Sequence, residues 1–147
     1  MIKSVLDTNV ILAGLISRNG ASHKILQYLT KSIYKPLISV PLLLEYEEIL
    51  KREKSKLFIS DDEMEAIRNM FAATSEHIRL YYLWRPLLKD PSDEMVLELA
   101  VSGNADVIVT FNGKDFKEAE RFFDIDIITP ARFLELIGGT ALWNNIH

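Results

Sequence analysis

The chain has 147 residues, 48% of them hydrophobic and 26% charged, with a formal net charge of −4. That is enough apolar material for one ordinary core, and too little net charge for a basic nucleic-acid coat or a disordered acidic tail. Cysteine is absent, which excludes disulfides, thiolate catalysis and Cys-based zinc sites, and the apolar run 37–44 is too short for a membrane span and is broken by Pro41. We therefore expect a soluble, cytoplasmic protein with no membrane partner, residues 1–139 forming one domain and 140–147 a tail.

In chain order, Ile2-Lys3-Ser4-Val5-Leu6 reads as a short, largely apolar strand that stops at Asp7-Thr8-Asn9. Residues 21–30 carry Ile25, Leu26 and Leu29 at helical spacing, and 35–40 read as a second strand. Pro41 suits the first turn of a helix running to about Lys54. Ser60 and Glu63 form the pattern of a reciprocal capping box, opening a helix with Met64, Ile67, Met70 and Phe71 on one face. A third strand is expected at 76–81. Pro91 opens a helix that presents Val96, Leu97, Leu99 and Ala100 and stops near Gly103, followed by strands at 106–110 and 126–129. A last helix at 130–137 is expected to be closed by Gly138-Gly139. Strands alternating with helices predict a parallel sheet in an α/β fold, with the first, fourth and fifth strands most buried because Val107-Ile108-Val109 and Ile127-Ile128 show little polar alternation.

Four acids fall where such a fold brings its strand ends together. Ligands of open α/β sheets bind outside the carboxyl ends of the strands, where the strand order reverses. Asp7 ends the first strand, and Asp115 follows the fourth by a short loop. Asp93 lies in the first turn of the helix that leads into the fourth strand, and Glu45 early in the helix after the second. Carboxylates gathered in this way repel one another unless a cation neutralises them, and Mg²⁺ or Mn²⁺ prefers oxygen ligands while keeping several waters. Each acid also has a structural reading on its own. Asp93 favours a helix dipole, Glu45 stands beside Glu47 and Glu48 on what would be a solvated face, and Asp115 suits a turn or helix cap. Asp7 is the hardest to dismiss, since a carboxylate ending a buried strand needs partners.

Val5-Leu6-Asp7-Thr8-Asn9 resembles the opening signature of the PIN-domain ribonucleases, especially toxin-like prokaryotic members. Pro41-Leu42-Leu43-Leu44-Glu45 is similar to the segment that supplies the second acid, and the helix from Asp93 with the strand to Thr110 is similar to the third-acid region. Thr110-Phe111-Asn112-Gly113-Lys114-Asp115-Phe116 resembles the family's Thr-x-Asn-x-x-Asp-Phe motif. The resemblance covers nearly the whole chain. It implies a three-layer α/β/α sandwich on a central parallel sheet of about five strands, and Mg²⁺- or Mn²⁺-dependent cleavage of single-stranded RNA. Asp7, Glu45 and Asp93 would be the main ligands, and Asp115 would bind metal or position water. Thr8, Asn9 and Thr110 would support them, and Asp90 or Glu94 would share or replace the duty of Asp93. Many similar chains have Asp where this one has Asn112, so either Asp115 alone or Asn112 with Asp115 completes the site. The resemblance further implies the toxin of a toxin–antitoxin pair, with an antitoxin protein as partner, and a homodimer.

Around these acids, Tyr81, Tyr82, Trp84 and Arg85 offer aromatic and cationic surface for unpaired bases or for core packing. Arg18, Lys24 and Lys114 are further candidate substrate contacts. His23, His77 and His147 show no metal-ligand spacing. Two rival functions remain at this point. A phosphatase with a nucleophilic Asp7 would want a second Asp two residues on, where the chain has Asn9. A non-catalytic module would hold a metal or a basic partner segment without turnover.

Overall fold

The structure, a computed structural model, describes residues 1–80 and 88–146, with side chains to residue 138. Five parallel strands form one sheet: β1 (Ile2–Leu6), β2 (Tyr34–Ile38), β3 (Glu76–His77), β4 (Val107–Val109) and β5 (Asp126–Ile128), in the order β3-β2-β1-β4-β5. The sheet grows from β1 through β2 to β3, then resumes on the other side of β1 with β4 and β5. Because parallel crossovers are right-handed, this change of direction collects helices on both faces and yields the three-layer α/β/α sandwich. It also leaves a crevice between the carboxyl ends of β1 and β4, where the order reverses.

Local chemistry accounts for most of the helices between the strands. Helix α1 (Thr8–Ile16) starts directly after β1, with Asp7 as its N-cap accepting from the Thr8 N–H at 2.8 Å. It was not expected, because Val10 to Ile16 is apolar throughout and carries no helical period. Helix α2 (Ala21–Gln27) passes into a 3₁₀ turn at Tyr28–Lys31. In α3 (Val40–Arg52), Ser39 caps and Pro41 occupies the first turn, while Glu53 ends the helix and a separate short α4 (Lys54–Leu57) follows. The Ser60–Glu63 capping box opens α5 (Asp61–Thr74) as expected. Asp90 caps α6 (Pro91–Ser102), accepting from the Ser92 N–H at 2.8 Å. After β4 come a 3₁₀ turn at Gly113–Phe116 and α7 (Lys117–Phe122), and after β5 comes α8 (Pro130–Ile146).

Three expectations are corrected. Strand β3 covers only Glu76–His77, and residues 78–80, expected to continue it, are not strand. Helix α8 runs through Gly138 and Gly139 to Ile146 instead of stopping there. Glycine ends a helix by taking a left-handed conformation, and no described glycine has positive φ. Strand β5 is not among the most buried: it pairs only with β4 at the sheet edge, with Asp126 exposed and Ile127 and Ile128 half-buried. A run of Ile looks alike in an edge and a central strand, so its place depends on topology. Strand β2 is interior instead, with β1 and β4, despite Pro36. Strand β3 pairs only with Leu37 and Ile38, so the missing N–H of Pro36 interrupts no ladder on that side.

The core runs along both faces of the central strands and includes Val5, Leu6, Leu42, Leu97, Leu99, Ile108, Val109 and Phe133. Tyr34 of β2 packs edge-on against Phe133 of α8 with ring centroids 5.1 Å apart. Among the described residues, no helix is long and apolar enough to cross a membrane.

Candidate active site

Asp7 is 8% exposed and stands at the carboxyl end of β1. Its backbone N–H continues the β1–β4 ladder by donating to the Val109 carbonyl at 2.9 Å. The side chain is held at both oxygens, Oδ1 by the Thr8 N–H at 2.8 Å and Oδ2 by the Thr110 hydroxyl at 2.7 Å. The Thr110 Oγ1 in turn accepts from the Asn112 N–H at 3.0 Å. The loop after β4 therefore fixes the carboxylate that ends β1. Since each carboxylate oxygen has two lone pairs, both keep one free.

Burial raises the Asp7 carboxyl above its ordinary value, the hydrogen bonds from Thr110 and Thr8 oppose that, and the charges of Asp115 and Asp90 raise it further. Burial likewise pushes Asp93 up, with Asp7, Asp90 and Asp115 adding to it, to about 6. Four carboxylates therefore sense one another at the β1–β4 crevice. Three of them, Asp90, Asp93 and Asp115, line a cleft of about 470 Å³ together with Lys89, Lys114 and Lys117, and Asp7 is not part of that lining.

Glu45 is half-buried on α3 and reaches the first turn of α6, where the Ser92 hydroxyl donates to its Oε1 at 3.4 Å. Helix α3 is itself pinned beside the site, because the buried Tyr46 hydroxyl donates to the Leu6 carbonyl, the residue before Asp7. Glu94 accepts from the Leu88 N–H at 2.6 Å and so holds the approach to α6. Asn9 lies in the first turn of α1, and its side-chain oxygen is buried without a hydrogen-bond partner.

Other sequence candidates fall away from this cleft. Arg18 is exposed beyond the far end of α1, about 14 Å along the helix from Asp7 at 1.5 Å per residue. Lys24 is exposed on α2. His23 pairs through Nδ1 with the Gly14 carbonyl at 2.9 Å, a packing contact between α1 and α2. Tyr81, Tyr82, Trp84 and Arg85 lie outside the described residues. Sequence reasoning missed three contributors: Tyr46, whose only sequence signal is its place in the buried stripe Leu42, Tyr46, Leu50, and Lys89 and Lys117, which flank the expected acids in the chain.

The donor set is all oxygen and suits a hard divalent cation. Among the described residues, no three His, Asp or Glu side chains stand close enough to form a ready-made metal cage. An ion that keeps several of its waters needs only one or two direct carboxylates, so the acids present remain compatible with Mg²⁺ or Mn²⁺.

The PIN domain family model matches residues 3–114. Comparison with curated protein sequences gives no match. Among solved structures, the chain is similar to the crystal structure of VapBC2 from Rickettsia felis bound to a DNA fragment from their promoter. The identity is 18%, the alignment covers 87% of this chain and 98% of that one, and the TM-score is 0.56. At that identity the likeness speaks for a shared fold.

Proposed function

The chain belongs to the PIN domain family, and from that membership and the geometry of the cleft we propose that it is a divalent-metal-dependent endoribonuclease of single-stranded RNA. One observation carries the reading. A buried carboxylate at the topological switch point is locked by Thr110 and Thr8 while the charges of Asp115 and Asp90 press on it, and Asp93 is raised in turn by all three. A protein keeps such mutual repulsion where a ligand of opposite charge relieves it.

In this reading Asp7, Glu45 and Asp93 hold the metal, with Asp115 binding it or orienting water and Asp90 and Glu94 supporting α6. Mg²⁺ or Mn²⁺, when bound, supplies stabilisation of the charge developing on the phosphate and acidifies a water. The chain's own residues do the positioning. Thr110 and Thr8 fix both Asp7 oxygens, Tyr46 holds the Glu45 helix against the end of β1, and Asn112 contributes its backbone N–H to the Thr110 hydroxyl. Hydrolysis adds water across one P–O bond, leaving a phosphate monoester on one fragment and a hydroxyl on the other.

The test is cleavage of a fluorescent single-stranded RNA in Mn²⁺, Mg²⁺ or EDTA, with Asp7→Asn alongside. We expect cleavage with either metal, and none in EDTA or with the variant. Cleavage that survives both would refute the assignment, and metal binding without cleavage would make the chain a non-catalytic module. We further propose that the protein is the cytoplasmic toxin of a toxin–antitoxin pair and forms a homodimer. Co-purification with the product of a small adjacent reading frame, with loss of RNA cleavage in the complex, tests the first point. Light scattering of the isolated protein tests the second.

A further inference from the structure

We infer that Lys89, Lys114 and Lys117 form a phosphate-binding rail for the nucleic-acid backbone along the cleft. This deepens the ribonuclease reading and rests on it. Elsewhere on the described surface some cations pair with carboxylates within 4 Å, as Lys3 does with Glu76, Lys54 with Asp61, Arg68 with Glu47 and Arg132 with Glu135, while others such as Lys31, Lys35 and Lys51 join no ion pair. The cleft is distinguished by gathering both signs of charge in one space. Lys89, Lys114 and Lys117 line the same space as Asp90, Asp93 and Asp115, yet among the described residues none of these six joins an ion pair. Glu118, on the same wall, pairs outward with Arg121 at 3.7 Å.

Opposite charges that share a cleft and stay apart are each available to an outside ligand. The acids call for a cation, and the lysines call for an anion beside it. A phosphodiester chain satisfies both, with one phosphate among the acids and its metal and the neighbouring phosphates on lysines. Lys114, in the turn after β4, and Lys117, at the start of α7, bracket Asp115 in one stretch of the lining, and Lys89 adjoins Asp90 in the other, just before α6. The strand would thus run between these two stretches. Lysine acts there as a point charge on a flexible stem, which grips the backbone without reading sequence.

The experiment is the salt dependence of binding. A labelled single-stranded RNA is titrated with full-length protein in Ca²⁺, read by anisotropy over rising KCl, for wild type and for the triple variant Lys89→Gln, Lys114→Gln, Lys117→Gln. A second triple variant, Lys31→Gln, Lys35→Gln, Lys51→Gln, makes the same change in net charge away from the cleft. Each phosphate contact on a single strand contributes about 0.7 to the slope of log affinity against log salt, so the cleft variant should lose about 2. Over a fourfold rise in salt, wild type should then lose about 20-fold more affinity than the cleft variant. The control triple should keep the wild-type slope. Equal slopes in wild type and cleft variant, an equal drop in both triples, or no RNA binding by wild type would each overturn the rail. Cleavage in Mn²⁺, run in parallel, separates the two claims: cleavage with an unchanged slope defeats the rail alone, and a lysine-dependent slope without cleavage defeats the nuclease alone.

Discussion

Replacing Asp93 by Asn in metal-free buffer is expected to stabilise the protein above pH 6 and leave it unchanged below about pH 4. Folding lifts this carboxyl from its ordinary 3.8 to about 6, first by burial and then through Asp7, Asp90 and Asp115. A group whose folded pKa lies above its unfolded value binds more protons when folded. Its contribution to stability is therefore complete below 3.8 and is lost as the pH rises through 6. Taken at face value, that gap corresponds to about 3 kcal/mol. Asp93 keeps part of its surface in water, and solvent and salt screen it, so we expect about 1 kcal/mol. For a chain of this length that is a shift in melting temperature of about 2–4 °C.

The assay is a set of thermal melts in EDTA from pH 4 to pH 8. The difference between variant and wild type should open from zero to the full shift across that range. With Mn²⁺ added at pH 7.5 the order should narrow or reverse, because a ligand stabilises the form that binds it and the wild type has the additional carboxylate. A variant less stable than wild type at neutral pH in EDTA, or a difference that does not vary with pH, would show that Asp93 is a structural helix-terminal acid and that the charge crowding is not felt.

Other outcomes follow from single contacts. Thr110→Val removes the donor to Asp7 Oδ2 and the acceptor of the Asn112 N–H; we expect about 2 kcal/mol of lost stability and about a tenfold loss of RNA cleavage, and unchanged melts with unchanged turnover would sink the positioning role. Tyr46→Phe deletes the buried bond to the Leu6 carbonyl and should cost about 1–2 kcal/mol in urea denaturation; a midpoint equal to wild type would show that α3 needs no such tie. Gly14→Ala would set a Cβ 2.6 Å from Leu26 Cδ1 and 3.0 Å from the Ser22 carbonyl. Overpacking between α1 and α2 should outweigh the gain in helix propensity and leave a net loss of about 1–2 kcal/mol, and an equally stable variant would mean that the two helices move apart freely.

What the sequence made legible was local. The Ser60–Glu63 capping box, Pro91 after Asp90, and the abrupt end of β1 at Asp7 are each written within a few residues, and each recurs in the structure. Parallel strands alternating with helices were enough for the architecture. Features that failed to read locally were those with no period or no neighbour. Helix α1 is uniformly apolar, β5 owes its exposure to its place at the sheet edge, and Gly138-Gly139 looks the same whether a helix stops or continues.

The candidate site divides along the same line. Its acids could be named from strand ends and helix starts, but what holds them joins distant parts of the chain. Thr110 reaches Asp7 across 103 positions, and Tyr46 reaches Leu6 across 40. No spacing rule encodes such a contact, because it depends on β4 returning beside β1 after the chain has built the other side of the sheet. The lysines show this most clearly. In the sequence each stands beside an acid and reads as half of a solvated charge pair: Lys89 beside Asp90, Lys114 beside Asp115, Lys117 beside Glu118. In the folded chain, however, these lysines join no ion pair among the described residues, and both signs of charge line the same cleft. Charge that sequence adjacency would cancel is thus left open to outside ligands, and on the proposed reading those ligands are a phosphate chain and its cation.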